Sequence, residues 1–200
     1  MITVLGIGPG AAALRLAGTN DWLTNADYVI GAPRQLETLA VPEKKAVTLP
    51  PLATLEQWLH EHNADNVVLL ASGDPLQYGI GNWVVKHFDA TQYRIIPGIS
   101  AIQYCFHQFG LSLNDVYITS SHGRKPDFDF LLQHQKVGMV TDTVIGPAEI
   151  AAAIRERGLH RTLYVGERLS YPDEQLSKWT EQTVPERDYQ LNVVVIVDEG

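Results

Sequence analysis

Short runs rich in aliphatic and β-branched residues alternate with helix-patterned stretches along the whole chain, and glycine, proline and small polar residues follow almost every run. That rhythm selects an α/β architecture, with parallel strands joined by helices. Residues 2–7 read as the first strand and lead into Gly8-Pro9-Gly10. Thr19 or Asn20 can cap a short helix holding Trp22 and Leu23, residues 28–30 read as the next strand, and Pro33 opens another helix. Residues 54–61 are helical by spacing, 66–71 form a buried strand, and 72–81 form a long glycine-rich loop. A helix near 82–87 and a strand at 93–96 follow, and Ser100 caps a helix that runs to about Phe109.

The rhythm changes at residues 110–114, which sets a domain boundary there: an N-terminal α/β domain of residues 1–110 and a C-terminal one of 111–200. The second half offers strands at 116–119, 137–140, 162–165 and 191–197. A helix between the second and third of these has Pro147 at its start, an Ala/Ile-rich face and Gly158 past its end.

A net charge of −8 argues against nonspecific nucleic-acid binding, which needs a basic footprint. No apolar run approaches the ~20 residues of a membrane helix, and the first one lacks the basic flank of a secretory signal. The single cysteine, Cys105, permits no internal disulfide and no multi-cysteine metal site, so a cytoplasmic protein without a bound metal is expected. Cys105 stands mid-helix between Tyr104 and Phe106 and reads as a core residue. His60 and His62 are two apart on a helix, so zinc binding there is not expected.

Chemistry in α/β sheets is carried by loops at the carboxyl ends of strands, and four such loops are unusual. Gly6-Ile7-Gly8-Pro9-Gly10-Ala11 fits a relaxed dinucleotide fingerprint, but Pro9 removes an N–H, and the second strand ends in Gly31, with Arg34 beyond it, where a ribose-binding acid would be wanted. Asp74, between Gly73 and Pro75, either presents its carboxylate to a ligand or bonds its own turn. Ser100, in Pro97-Gly98-Ile99-Ser100-Ala101, caps a helix start that can also receive an anion. Thr119-Ser120-Ser121-His122-Gly123-Arg124-Lys125 is either a basic site for an anionic substrate or a solvated turn.

Taken in order, Gly6-x-Gly8-Pro9-Gly10, Ser72-Gly73-Asp74-Pro75 with Tyr78-Gly79, and Pro97-Gly98-Ile99-Ser100-Ala101 resemble the tetrapyrrole (corrin/porphyrin) methyltransferases over the whole chain. Ser120-Ser121-His122-Gly123-Arg124, Thr141-Asp142 with Pro147, and Val165-Gly166-Glu167-Arg168-Leu169-Ser170-Tyr171-Pro172 look like the branch of that family that methylates C5 of precorrin-7 in cobalamin synthesis. The first loop departs from the usual pattern by continuing with Ala11, Ala12 and Ala13.

The resemblance implies two α/β domains with S-adenosylmethionine (SAM) in the cleft between them, in a homodimer. It implies SAM contacts at Pro9, Gly73, Asp74, Tyr78, Ser100, Ala101, Met139, Gly166, Asn192 and Val193. The tetrapyrrole's carboxylates call for basic and polar partners, for which Arg34, Ser121, Arg124, Lys125 and Arg168 are the candidates, with His122 as proton acceptor and Arg124 beside it. The chain ends just after the strand at 191–197, so a decarboxylating C15-methyltransferase is expected on a separate polypeptide. Methylation at another ring position, including the uroporphyrinogen branch, and a non-catalytic SAM- or tetrapyrrole-binding module are the alternatives.

Overall fold

In the computed structural model, which describes all 200 residues, strand β1 (Ile2–Gly6) is buried at every position and lies between β4 (Val67–Ala71) and β5 (Tyr93–Ile96), parallel to both. β2 (Tyr28–Gly31) pairs with the other side of β4, and β3 (Ala46–Thr48) completes an all-parallel sheet in the order β3-β2-β4-β1-β5. Helices α1 (Thr19–Asn25), α2 (Pro33–Thr38), α3 (Leu52–Glu61) and α4 (Gly81–His87) are interspersed between these strands. Successive side chains of β1 and β4 point to opposite faces. Val4 and Leu69 join Leu55, Leu59 and Val84 in one core, while Leu5 and Leu70 join Leu36 and Trp22 in another. Both faces are therefore covered, which is why these strands read as unbroken apolar runs.

Two local expectations change. α1 begins at Thr19 behind Gly18 with no side-chain cap, and Thr19 itself is buried. α3 begins at Leu52, behind Pro51.

The second sheet comprises β6 (Val116–Ser120), β7 (Lys136–Val140), β8 (Thr162–Glu167), β9 (Gln175–Thr180) and β10 (Asn192–Val197), in the order β6-β7-β10-β8-β9. Here the expectation of parallel strands holds for β6 and β7 alone. β10 runs antiparallel to both β7 and β8, and β9 runs antiparallel to β8. Helix α7 (Pro147–Glu156) buries Ile150 and Ile154 with Met139, Val165 and Val194. A short helix, α6 (Phe128–Leu131), adds Leu131 to the same core.

Helix α5 (Ala101–Gln108) buries Ile102, Cys105 and Phe106 with Tyr164, Val193 and Val195. A Cβ at Gly138 of β7 would stand 2.6 Å from Ile102 Cγ2, so glycine is what admits this helix. Because α5 packs on the second sheet, the compact units are Met1–Ser100 and Ala101–Gly200, ten residues earlier than the change of rhythm after Gly110.

Candidate functional site

The registers Gly6 beside Ala71 and Leu5 beside Ile96 bring the loops after β1, β4 and β5 to one edge of the first sheet. There the backbones touch. Gly73 N–H donates to Gly8 O at 2.8 Å and Gly8 N–H to Gly73 O at 3.3 Å. A Cβ at Gly6 would lie 2.6 Å from Gly98 N, and one at Gly98 would run into Gly73 O. The glycines thus serve close packing of three loops. With the N–H groups of Gly8 and Gly73 bonded to each other's carbonyls and none on Pro9, these three positions have no N–H to offer a pyrophosphate.

Asp74 makes the self-bonding turn and also reaches a neighbouring loop. Its Oδ1 accepts the N–H of Leu76 at 2.8 Å and of Gln77 at 3.2 Å, the self-bonding turn, while Oδ2 reaches Gly98 N–H at 3.3 Å. One carboxylate therefore fastens the loop after β4 to the loop after β5. Tyr78 takes a left-handed backbone, φ 58°, and is exposed, Pro9 is half-buried, and Ser100 is buried directly ahead of Ala101, the first residue of α5.

At the end of β2 the structure shows a link that sequence reasoning missed. Gln35, buried in α2, accepts Ala32 N–H on Oε1 at 2.8 Å and donates from Nε2 to Ser72 Oγ at 2.9 Å. A Cβ at Gly31 would stand 2.8 Å from Leu70 Cδ1 and 3.1 Å from Gln35 Oε1. An acidic residue has no room where a dinucleotide-binding strand would carry one. Arg34 is exposed on the same helix.

In the second unit, the loop after β6 is tied down by Asp142. Its Oδ2 accepts Gly123 N–H at 3.2 Å, and its Oδ1 accepts Val144 and Ile145 N–H at 2.9 and 2.8 Å. These bonds, that from Ile145 first, hold the carboxyl below the usual range, with the His122 charge a lesser cause. Ser121 is buried and donates to Ile145 O at 2.9 Å, so its hydroxyl points inward. His122, Arg124 and Lys125 are exposed on the loop.

Met139 is fully buried beneath α7. Asn192, at the start of β10, is also buried, with Oδ1 accepting from Thr141 Oγ1 at 2.6 Å and Nδ2 donating to Gln190 O at 2.8 Å. Thr141, of the Thr141-Asp142 motif, meets Asn192 only because β7 pairs with β10. A Cβ at Gly166 would press on Leu169 and approach Cys105 Sγ to 3.2 Å, so Gly166 seats that loop against α5, and Val193 lies beside it across the sheet. The Cys105 thiol is pushed up to about 12 by burial and by the charge of Glu174.

Arg168 has a left-handed backbone, φ 48°, pairs with Asp173 at 2.6 Å and lies over the Tyr171 ring. The bond and charge of Asp173 raise the guanidinium pKa. The neighbouring Glu167 buries a carboxylate that takes both Nη atoms of Arg187 and Gln190 N–H, fixing the segment that enters β10. No three His, Cys, Asp or Glu side chains are grouped to hold a metal ion. No helix is long and apolar enough to cross a membrane.

Comparison with known proteins agrees with this arrangement. The chain is 41% identical over its full length to the full-length cobalt-precorrin-7 C(5)-methyltransferase of Salmonella typhimurium. The crystal structure of a cobalamin-biosynthesis precorrin-6Y methylase from Archaeoglobus fulgidus matches with a TM-score of 0.78 at 20% identity, covering 100% of this chain and 98% of that one. The uroporphyrin-III C-methyltransferase of Thermus thermophilus, solved with S-adenosylhomocysteine, matches with a TM-score of 0.77 at 19% identity, over 98% and 97% of the two chains. With the glycine-packed loop edge in place and the profile of the tetrapyrrole (corrin/porphyrin) methylases matching residues 1–185, the chain belongs to that family.

Proposed function

We propose that the chain is a SAM-dependent C-methyltransferase that methylates C5 of cobalt-precorrin-7, or its metal-free equivalent, in cobalamin biosynthesis. The observation that carries this reading is the 41% identity to a C5-methyltransferase with both chains aligned over their full length. Bound SAM supplies an activated sulfonium methyl that an electron-rich ring carbon can take in line. No side-chain nucleophile is then required, and the protein's task is to hold two reactants in near-attack geometry.

On this reading the loops at Pro9, Gly73, Asp74 and Tyr78, with Ser100 and Ala101, orient the cofactor. The glycine contacts and the Asp74–Gly98 bond support it, because they fix these loops before any ligand arrives. Gly166, Asn192 and Val193 belong to the cofactor side in the second unit, with Met139 on β7, the strand beside β10. Arg34, Arg124, Lys125 and Arg168 take substrate carboxylates, Ser121 holds the backbone of the loop that carries Arg124 and Lys125, and His122 accepts a proton. The basic residues matter because a net charge of −8 otherwise repels a polycarboxylate at long range. A homodimer in the cytoplasm, working alongside a separate C15-methyltransferase, completes the proposal and rests on the family resemblance.

Incubation of the purified protein with SAM and cobalt-precorrin-7 tests it. Formation of S-adenosylhomocysteine and a singly methylated tetrapyrrole is expected. Turnover on uroporphyrinogen III alone would move the chain to another branch, and SAM binding without turnover on any precorrin would make it a binding module.

A further inference from the structure

The sheet order sends the chain from β2 outward to β3 and from β4 across β1 to β5. The connections after β2 and β4 therefore leave toward opposite edges of the sheet, which makes the end of these two adjacent strands a topological switch point, where open α/β sheets receive ligands. The Gln35–Ser72 hydrogen bond spans it. Around Ser72 the polar groups are already committed: both backbone groups of Gly73 pair with Gly8, and Asp74 accepts from Leu76, Gln77 and Gly98. Asp74, as a carboxylate, offers only lone pairs.

The Ser72 hydroxyl is different. Ser72 is exposed, and its Oγ accepts from Gln35 Nε2, so its own proton is turned away from Gln35. Gln35 cannot rotate to take that proton without giving up the bond from Ala32 N–H, because its Oε1 is the acceptor there. Gly31 is what makes space for this amide, since a Cβ would crowd both Leu70 and Gln35.

We propose that Ser72 is a ligand-contacting residue that donates its hydroxyl proton to a carboxylate, and that Gln35 is the positioning residue that aims it. The proposal rests on the methyltransferase reading, which offers two sources of that group: the amino-acid end of SAM and the acid side chains of the tetrapyrrole.

Ser72→Ala, at an exposed position, keeps the fold and removes the donor. A hydrogen bond to a charged group lost in this way weakens binding about tenfold. Calorimetry with S-adenosylhomocysteine and the KM for precorrin-7 separate the sources: a loss in the first assigns Ser72 to the cofactor, and a rise in KM alone assigns it to the substrate. Gln35→Met should reproduce most of the effect in the wild type and add nothing in the Ser72→Ala background. A merely structural glutamine would cost the same in both. Gln35→Glu serves as a second variant that preserves the bond to Ala32 and draws the Ser72 proton inward, so it too should mimic Ser72→Ala. Unchanged binding and KM in folded Ser72→Ala, with normal wild-type binding, overturns this proposal alone. Wild-type protein that binds neither S-adenosylhomocysteine nor precorrin-7 overturns the methyltransferase reading with it.

Discussion

The Asp74 carboxylate accepts the backbone N–H of Gly98 at 3.3 Å, joining the loops that leave two strands lying on either side of β1. Asp74→Asn keeps the shape, and its amide oxygen can still serve Leu76 and Gln77. The amide nitrogen then faces the Gly98 N–H, donor against donor. The variant should fold and should bind S-adenosylhomocysteine roughly ten- to a hundredfold more weakly by calorimetry. Full affinity would reduce Asp74 to the maker of its own turn.

Gly98→Ala tests the same edge by volume. Its Cβ would collide with Gly73 O, a backbone atom held in turn by Gly8, so the loops must separate. Destabilisation of about 1–3 kcal/mol in urea melts is expected, together with loss of cofactor binding. Gly110→Ala is the control, because nothing lies within 4 Å of its Cβ and only the positive φ of 64° opposes it. Equal effects of the two would mean that close packing of the loops is not what Gly98 provides.

The glycines of this edge are legible from sequence because each follows an apolar run, and so are the eight strands that carry such runs. β3 and β9 are not: β3 has three residues and none fully buried, and β9 presents Gln175, Leu176, Lys178 and Thr180 to solvent. Strand direction in the second sheet is equally hidden, since an apolar run reads the same in either orientation. The Gln35–Ser72 and Thr141–Asn192 bonds join residues 37 and 51 positions apart, and only the strand order makes them neighbours. Asp142 was visible as a motif, whereas its grip on Gly123 depends on β6 and β7 lying side by side.

Arg124→Ala should raise the KM for the tetrapyrrole while leaving cofactor affinity nearly unchanged. Arg124 is exposed on the loop held by Asp142, so its contact with a substrate carboxylate should weaken with salt. Steady-state kinetics at two ionic strengths read both effects. Collapse of SAM binding with an unchanged substrate KM would reverse the two sides of the site.

Glu181 sets an acid limit on stability. Burial opposes ionisation of its carboxyl, but Arg161 N–H at 3.0 Å, the His160 ring at 3.0 Å and further bonds outweigh that and lower its pKa from 4.5 to about 2. A folded pKa below the unfolded one means the stabilisation is complete above pH 4.5 and disappears as pH falls through about 2. Its size is on the order of 3 kcal/mol. Glu181→Gln should be less stable than wild type at pH 7 in urea melts and should converge with it toward pH 2. A constant gap across that range would contradict the assignment.

Cys105, whose thiol is raised to about 12 by burial and by Glu174, should resist iodoacetamide in the native protein and react once urea unfolds it. Stoichiometric labelling of the folded protein would show that α5 opens readily from the second sheet.

The most direct test of C5 methylation uses SAM carrying a carbon-13 methyl group, with cobalt-precorrin-7 or its metal-free equivalent, followed by nuclear magnetic resonance of the product. The expected result is one labelled methyl, bonded to C5 of the macrocycle. Label at any other ring carbon, or none despite bound SAM, would contradict it.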